Sequence, residues 1–244
     1  MPEIITSPAN PKIKDAVRIR KSPSTEAFVV EGFHLVEMAR EKNLLCKVFA
    51  VKDPGFPEVD TVLVPLEIIE KISSSKTPEP ILGIARLPKG KDSLGKRVLL
   101  LDRLQDPGNV GTLIRTALAF GFEDVVFAPG TCSPMNSKSI AASQGAVFGA
   151  QLHFLKDSVS FVEALKKDGY RIIGSALKDS RSLDGFAVSK EEPMALIIGN
   201  EGQGMSESLL AICDDVVRIP MGNIDSLNAA IAGGILMERF SIFH

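Results

Sequence analysis

The chain has 244 residues, with 28 Lys and Arg against 30 Asp and Glu, a formal net charge of −2 and 45% hydrophobic residues. That length holds one large or two small domains with a sizeable core, and the near-neutral charge excludes an indiscriminate polyanion binder. No apolar run approaches the roughly 20 residues of a membrane span, and Cys46, Cys132 and Cys213, far apart and without a CxxC pair, argue against a zinc site or a disulfide framework.

The opening stretch, MPEIITSPANPKIKD, lacks the apolar core of a secretory signal, so a cytoplasmic protein is expected. An extended lead-in over 4–11 runs into a predicted basic helix over 11–21. There Lys12, Lys14, Arg18, Arg20 and Lys21 oppose only Glu3 and Asp15. Such a run could meet phosphate, but charge alone favours a solvated amphipathic face. Further on come a strand over 27–30 and a helix over 33–41, with Leu35, Val36 and Ala39 at helical spacing. Short strands over 48–51 and 62–65, a helix over 66–73 and a strand over 81–86 complete this part. Strands and helices of this size predict a compact α/β/α module. LPKGKDSLGK, over 87–96, combines Pro, Gly and mixed charge without periodicity, the pattern of a linker. The expected domains are 1–88 and 96–244, with the linker at about 87–96.

In the second part, strands are predicted over 98–101, 125–127, 151–154 and 171–175. Helices are predicted over 112–120, ended by Gly121, then 136–143, then 158–167, ended by Gly169. A polar loop follows to Pro193. Alternation of this kind predicts a parallel sheet with helices on both faces.

The last stretch, ALIIGNEGQGMSESLLAICDDVVRIPMGNIDSLNAAIAGGILMERF over 195–240, organises the rest. A buried strand over 195–198 runs into Gly199, Gly202 and Gly204, where no Cβ keeps a ligand from the backbone. A second buried strand over 216–219 stops at Pro220. Asn223, Asp225, Ser226 and Asn228 then gather at the start of the final helix, where side-chain oxygens cap free N–H groups. Two strand ends thus meet loops suited to a small polar molecule, and ligands of parallel α/β sheets sit at such carboxyl ends. GNEGQG is not the GxGxxG of dinucleotide proteins, and there is no GxxxxGK[ST] phosphate loop. His34, His153 and His244 are scattered, and no metal-ligand constellation stands out.

DPGNVGTLIRTALAFG over 106–121, GNEGQGM over 199–205, RIPM over 218–221 and SLNAAIAGGI over 226–235 stand in the order of the three motifs of the SpoU/TrmH branch of SPOUT methyltransferases. The chain resembles that family across roughly 96–244. FVVEGFHLVEMA resembles the L30e-like substrate-binding domain that precedes the methyltransferase domain in the family. The resemblance implies an S-adenosylmethionine-dependent RNA 2′-O-ribose methyltransferase acting on rRNA, with tRNA also open. It implies a parallel-sheet SPOUT domain whose carboxyl-terminal segment is threaded into a trefoil knot. It also implies a homodimer formed through this domain, no metal, and RNA binding by the front domain, with Lys12, Lys14, Arg18 and Arg20 as candidate contacts.

On the matching positions, Arg115, Asn109, Glu201, Ser226 and Asn228 are the candidate catalytic residues. Gly199, Ile198, Ile219, Pro220, Met221 and Leu227 are the candidate cofactor contacts. The residues themselves add that Asn109 fits a helix N-cap. Arg115, four residues after Gly111, shares its helix face, and helical side chains lean toward the amino terminus. A guanidinium seldom yields its proton, so Arg115 reads more easily as a cation that binds the adjacent phosphate and stabilises charge on a ribose 2′-oxygen, with a phosphate-assisted proton transfer left open. The sequence departs from the common pattern at Ala230, which lacks a hydroxyl found in many relatives, and at Ala141, where many carry Arg. Two other readings stay open: a catalytically silent RNA-binding relative, and a nucleotide-dependent oxidoreductase on a doubly wound sheet.

Overall fold

The computed structural model describes residues 2–91, 93–224 and 226–243, so Asp225 and His244 lie outside the described residues. Its contacts divide the chain into two units: Met1–Lys89 with Pro134–Phe148, and Gly90–Ser133 with Gly149–His244.

The first unit runs β1 (Glu3–Ile4), α1 (Pro11–Lys21), β2 (Phe28–Glu31), α2 (Phe33–Glu41), β3 (Leu45–Ala50), β4 (Asp60–Leu63), α3 (Leu66–Ile72) and β5 (Ile81–Ala85). Asn10 starts α1 by accepting from the Lys12 N–H, and Pro11 follows at the first helical position, where its missing N–H costs nothing. The strands lie in the order β1-β4-β3-β5-β2, with β5 antiparallel to both neighbours and the other pairs parallel. Val29, Phe49, Val62, Leu82 and Ile84 meet Ile13, Ala16 and Ile19 of α1 and Ile68, Ile69 and Ile72 of α3. By the two-residue pleat, the other side chains of these strands face the opposite side, where α2 packs with Leu35, Val36 and Ala39. The α/β/α module expected from the alternation is found.

The second unit contains β6 (Arg97–Asp102), α4 (Pro107–Ala119) and β7 (Asp124–Phe127). The chain then passes to α5 (Ser137–Ser143), which groups with the first unit and contacts β2. It returns as β8 (Gln151–Phe154), α6 (Ser158–Lys167), β9 (Arg171–Ser175), β10 (Arg181–Ser182), β11 (Met194–Gly199), α7 (Glu207–Leu210), β12 (Asp215–Arg218) and α8 (Ala229–Arg239). The seven strands are all parallel, in the order β10-β12-β9-β11-β6-β7-β8. β6 and β11 lie at the centre and are almost wholly buried, as apolar runs such as VLLL and ALII require. Val98, Leu100, Val126, Ile172, Ala195 and Ile197 form one face with Val162 and Leu165 of α6 and Leu209 of α7. Helices α4 and α8 pack on each other so closely that a Cβ on Gly233 would collide with Leu113.

The expected start and cap of the helix after β6 need correction, whereas the capping expected at the start of the final helix is found. Helix α4 begins at Pro107, not near residue 112, and its N-cap is Asp106 rather than Asn109. The Asp106 carboxylate accepts from the Asn109 N–H at 2.8 Å, and Pro107 is preset for the first helical position. Helix α8 is capped by Asn228, whose Oδ1 accepts from Ala230 and Ile231. The end of α8 is held by the first residue of β6. Arg97, only 2% exposed, donates to the carbonyls of Phe240 at 2.8 Å, Glu192 at 2.7 Å and Ser189 at 3.1 Å.

Candidate active site

The carboxyl ends of β9, β11 and β12 and the start of α8 enclose a cleft of about 650 Å³, the position where ligands of open parallel sheets bind. Residues 175–178, residues 198–205, and Arg218, Ile219, Met221, Ser226 and Leu227 line it.

The stretch over 198–205 is a closed loop fixed at both ends. Any side chain on Gly199 would collide with the backbone of Gly204 and Met205, so only glycine lets the loop fold this tightly. Asn200 and Gly204 exchange backbone hydrogen bonds at 3.0 and 2.9 Å. The Asn200 Oδ1 accepts from the N–H groups of Gly202 and Gln203, both at 3.0 Å, and its Nδ2 donates to the Arg103 carbonyl at 2.8 Å. Buried Asp102 accepts from the Ser206 N–H at 2.7 Å where the loop ends. Arg103 itself has φ +58, a left-handed conformation costly for a side chain of this size. Its N–H on Thr131 Oγ1 at 3.0 Å and its carbonyl on Asn200 hold it there. Strain of this kind, held by its surroundings, is a feature of preorganised sites.

Three distant segments meet beside the cleft. The Asn109 Nδ2 donates to Glu201 Oε1 at 2.9 Å, and the Asn109 Oδ1 accepts from the Asn228 Nδ2 at 2.9 Å. Because Asp106 has taken the cap, the amide of Asn109 is free to join the glycine loop to the start of α8. Arg115 is not part of this group. It lies on the exposed face of α4, outside the cleft lining.

The SpoU rRNA Methylase family profile matches residues 96–238, more than half of the chain. The chain belongs to that family. It is 33% identical over 243 residues to RlmP of Bacillus subtilis (strain 168), a 23S rRNA (guanosine(2553)-2′-O)-methyltransferase, across 96% of this chain and 97% of that protein. Among solved structures, a TrmH-family protein from Porphyromonas gingivalis superposes with a TM-score of 0.85 at 30% identity, over 95% of this chain and 97% of that one. An AdoMet-bound rRNA methyltransferase from Sinorhizobium meliloti superposes with a TM-score of 0.82 at 26% identity, over 96% and 95%.

In this SpoU protein the cleft has the chemistry an adenosyl group asks for. Ile198, Ile219, Met221 and Leu227 supply apolar surface, and the loops after β11 and β12 supply backbone donors and acceptors. Of the cofactor contacts expected from the motifs, Gly199, Ile198, Ile219, Met221 and Leu227 line the cleft, whereas Pro220 is exposed outside it. Of the catalytic candidates, Glu201 and Ser226 line the cleft, Asn109 and Asn228 brace it, and Arg115 stands apart. Motif reasoning missed Asp102, Arg103 and Asn200, which fix the loop. A polar residue ending a fully apolar strand, as Asp102 ends VLLL, was the available signal. Burial, aided by Asp214 and opposed by Lys166, pushes the Cys213 thiol up to about 12, which disfavours the nucleophilic thiolate. Among the described residues, no group of three or more His, Cys, Asp or Glu is placed to hold a metal ion, and no helix is long and apolar enough to cross a membrane.

Proposed function

We propose that the protein methylates a ribose 2′-oxygen of rRNA with S-adenosylmethionine as donor, in the cytoplasm, as a homodimer. The observation that carries this reading is the Glu201–Asn109–Asn228 chain of hydrogen bonds, which ties three family motifs to one cleft. The likeness to RlmP along nearly the whole chain supports rRNA over tRNA.

S-adenosylmethionine supplies a methyl already activated by its sulfonium. The protein's task is therefore alignment and charge stabilisation. Ile198, Ile219, Met221 and Leu227 would grip the adenine, and the fixed loop over 199–206 would hold the donor without reordering at the moment of reaction. Glu201, its carboxylate oriented by Asn109, and Ser226 would orient the polar end of the donor or the target ribose. Arg115 would bind the phosphate beside the target ribose and stabilise the charge that develops on the 2′-oxygen, remaining cationic throughout.

Arg115 lies outside the cleft of its own chain, so we assign it to the cleft of a second copy. Exposed Ile231 and Ile235 on α8, with Ile242 and Phe243 after it, give the apolar surface for a two-fold interface beside α4. The front domain, residues 1–88, would dock the RNA. Lys14 is exposed, whereas Lys12 pairs with Glu3, Arg18 pairs with Asp15 at 2.6 Å, and Arg20 has a buried Nε without a hydrogen-bond partner among the described residues. Ion pairs this exposed contribute little and exchange readily for phosphate. We also assign the threaded knot of the family to the segment that carries the two cleft loops.

The test is incubation of the purified protein with radiolabelled S-adenosylmethionine and rRNA from cells lacking it. The expected product is label in alkali-resistant dinucleotides, the mark of a blocked 2′-oxygen. Label absent from every rRNA would leave a silent RNA-binding relative.

A further inference from the structure

We propose that the first unit carries its own base-reading pocket, which takes a single unstacked guanine of the RNA. The inference rests on the RNA-directed reading above, but not on the methyl-transfer site.

The pocket has a volume of about 240 Å³, near the small end of the few-hundred-Å³ range of ligand sites, so it suits one ring system rather than a whole cofactor. Its apolar surface comes from Leu35, Ile140 and Ala141. Ala141 keeps it open, since a longer side chain there would project into the space. Its polar surface comes from Glu31, Glu79, Ser75, Thr77 and Ser137.

The two carboxylates are built in. Glu31 accepts from Ser73 Oγ, from the Ser74 N–H at 3.0 Å and from Ser74 Oγ at 2.7 Å, which fixes the serine turn as a wall. Glu79 Oε2 accepts from the Phe33 N–H at 3.0 Å. Glu79 Oε1 lies 2.6 Å from where a Cβ on Gly32 would be, so only glycine, here at φ +88, lets this carboxylate lie so close. Oε1 has no hydrogen-bond partner among the described residues and remains available as an acceptor.

A pocket whose fixed polar groups are carboxylate acceptors selects a ligand edge made of donors. Among the RNA bases, only guanine offers adjacent N1–H and N2–H groups to one carboxylate. Adenine, cytosine and uracil present mixed or accepting edges. Proteins read RNA sequence mainly on splayed-out bases that rest on apolar or aromatic surface and bond along their edges. Lys76, between Ser75 and Thr77, and Lys138, next to Ser137, are exposed and form no ion pair among the described residues, which leaves two cations for the flanking phosphates.

The test is methyl NMR of the full-length protein titrated with the trinucleotides UGU, UIU, UAU and UCU. UGU should shift the Leu35 and Ile140 methyl signals and bind about tenfold or more tightly than UAU or UCU, with UIU, which lacks the N2 amino group, in between. Glu79→Gln should abolish the preference. Ala141→Leu should abolish the shifts while leaving S-adenosylhomocysteine affinity, measured by calorimetry, unchanged. Equal response to all four trinucleotides, or no shift at Leu35 and Ile140, overturns the pocket. Methyl transfer that persists alongside such a failure leaves the enzymatic reading standing, and guanine-specific shifts without any transfer do the reverse.

Discussion

Asn109 and Glu201, 92 positions apart in sequence, meet at 2.9 Å with the amide donating and the carboxylate accepting. The other end of the same amide accepts from Asn228, so donor and acceptor order is fixed along the row. Asn109→Asp removes the donor and sets two carboxylates face to face. It should cost roughly 1–3 kcal/mol of stability and most of the turnover. Adding Glu201→Gln restores a donor–acceptor pair in the opposite sense, so the double variant should regain part of the lost stability. A double-mutant cycle by urea denaturation measures this coupling, and additive losses would mean the pair carries no energy.

Why this row was only half legible in the sequence follows from the same residues. The motifs named Asn109, Glu201 and Asn228, but the residues alone made Asn109 a cap. Asp106 won that role because the following Pro107 starts the helix earlier than its apolar spacing suggests, and side-chain competition for a cap cannot be settled by composition. The helix over 158–167 and the strands over 151–154 and 171–175 were legible to the residue, since strong periodicity and a following Gly mark them. The grouping of Pro134–Phe148 with the first unit was not, because it depends on contacts far apart in sequence, such as Phe148 stacking on Phe28 at 6.1 Å. Nor could helical spacing show that Arg115 lies outside the lining of its own cleft. Residues 111 and 115 share a stripe, but which way the stripe faces is set by what α8 covers.

The basic helix gives a prediction about salt. Lys14, Arg18 and Arg20 changed together to Gln should weaken rRNA binding and flatten its dependence on salt by about 2 to 3 in log–log slope, roughly 0.9 for each phosphate no longer neutralised. Filter binding across a salt series reads this directly. An unchanged slope would make α1 a solvated face.

Cys213 gives a prediction about pH. Its thiol ionises near 9.0 when unfolded, and burial in the fold pushes it up to about 12. Between these values the unfolded chain loses a proton that the folded chain keeps. The stability contributed by this group is therefore complete below about 9 and is lost progressively as pH rises toward 12. Cys213→Ala should flatten the fall in denaturation midpoint over that window. Alkylation at about pH 8 should mark exposed Cys46 and spare Cys213 until urea is added. Equal labelling of the two in the folded protein would contradict the partly buried placement of Cys213.

Arg97 gives a prediction about stability alone. Burial lowers its pKa, with Glu192 and Glu191 opposing, yet a guanidinium remains cationic at neutral pH. Arg97→Leu strips charged donors from the carbonyls of Phe240, Glu192 and Ser189; Phe240 is buried, whereas Ser189 is exposed and keeps the Glu192 N–H at 3.1 Å. The expected loss is about 3 kcal/mol or more, seen as a lower urea midpoint at unchanged slope. A midpoint within error of the parent protein would show that these carbonyls find other donors.

The last prediction concerns Arg115 and the second copy. Arg115→Ala and Glu201→Ala should each abolish turnover while leaving the protein dimeric. If Arg115 serves the partner's cleft, a dimer with one subunit of each kind has one wholly intact site, because an Arg115→Ala chain keeps its own Glu201 and receives the guanidinium of the Glu201→Ala chain. Random mixing after mild dissociation should then restore about a quarter of parental activity. If Arg115 serves its own cleft, every site in every mixed dimer is defective and mixing restores nothing. Ile235→Asp, which places a charge on the exposed apolar face of α8, should give a monomer by light scattering and lose turnover with its cleft otherwise unaltered. A fully active monomer would remove the second copy from the mechanism and require Arg115 to reach the cleft by a movement of α4.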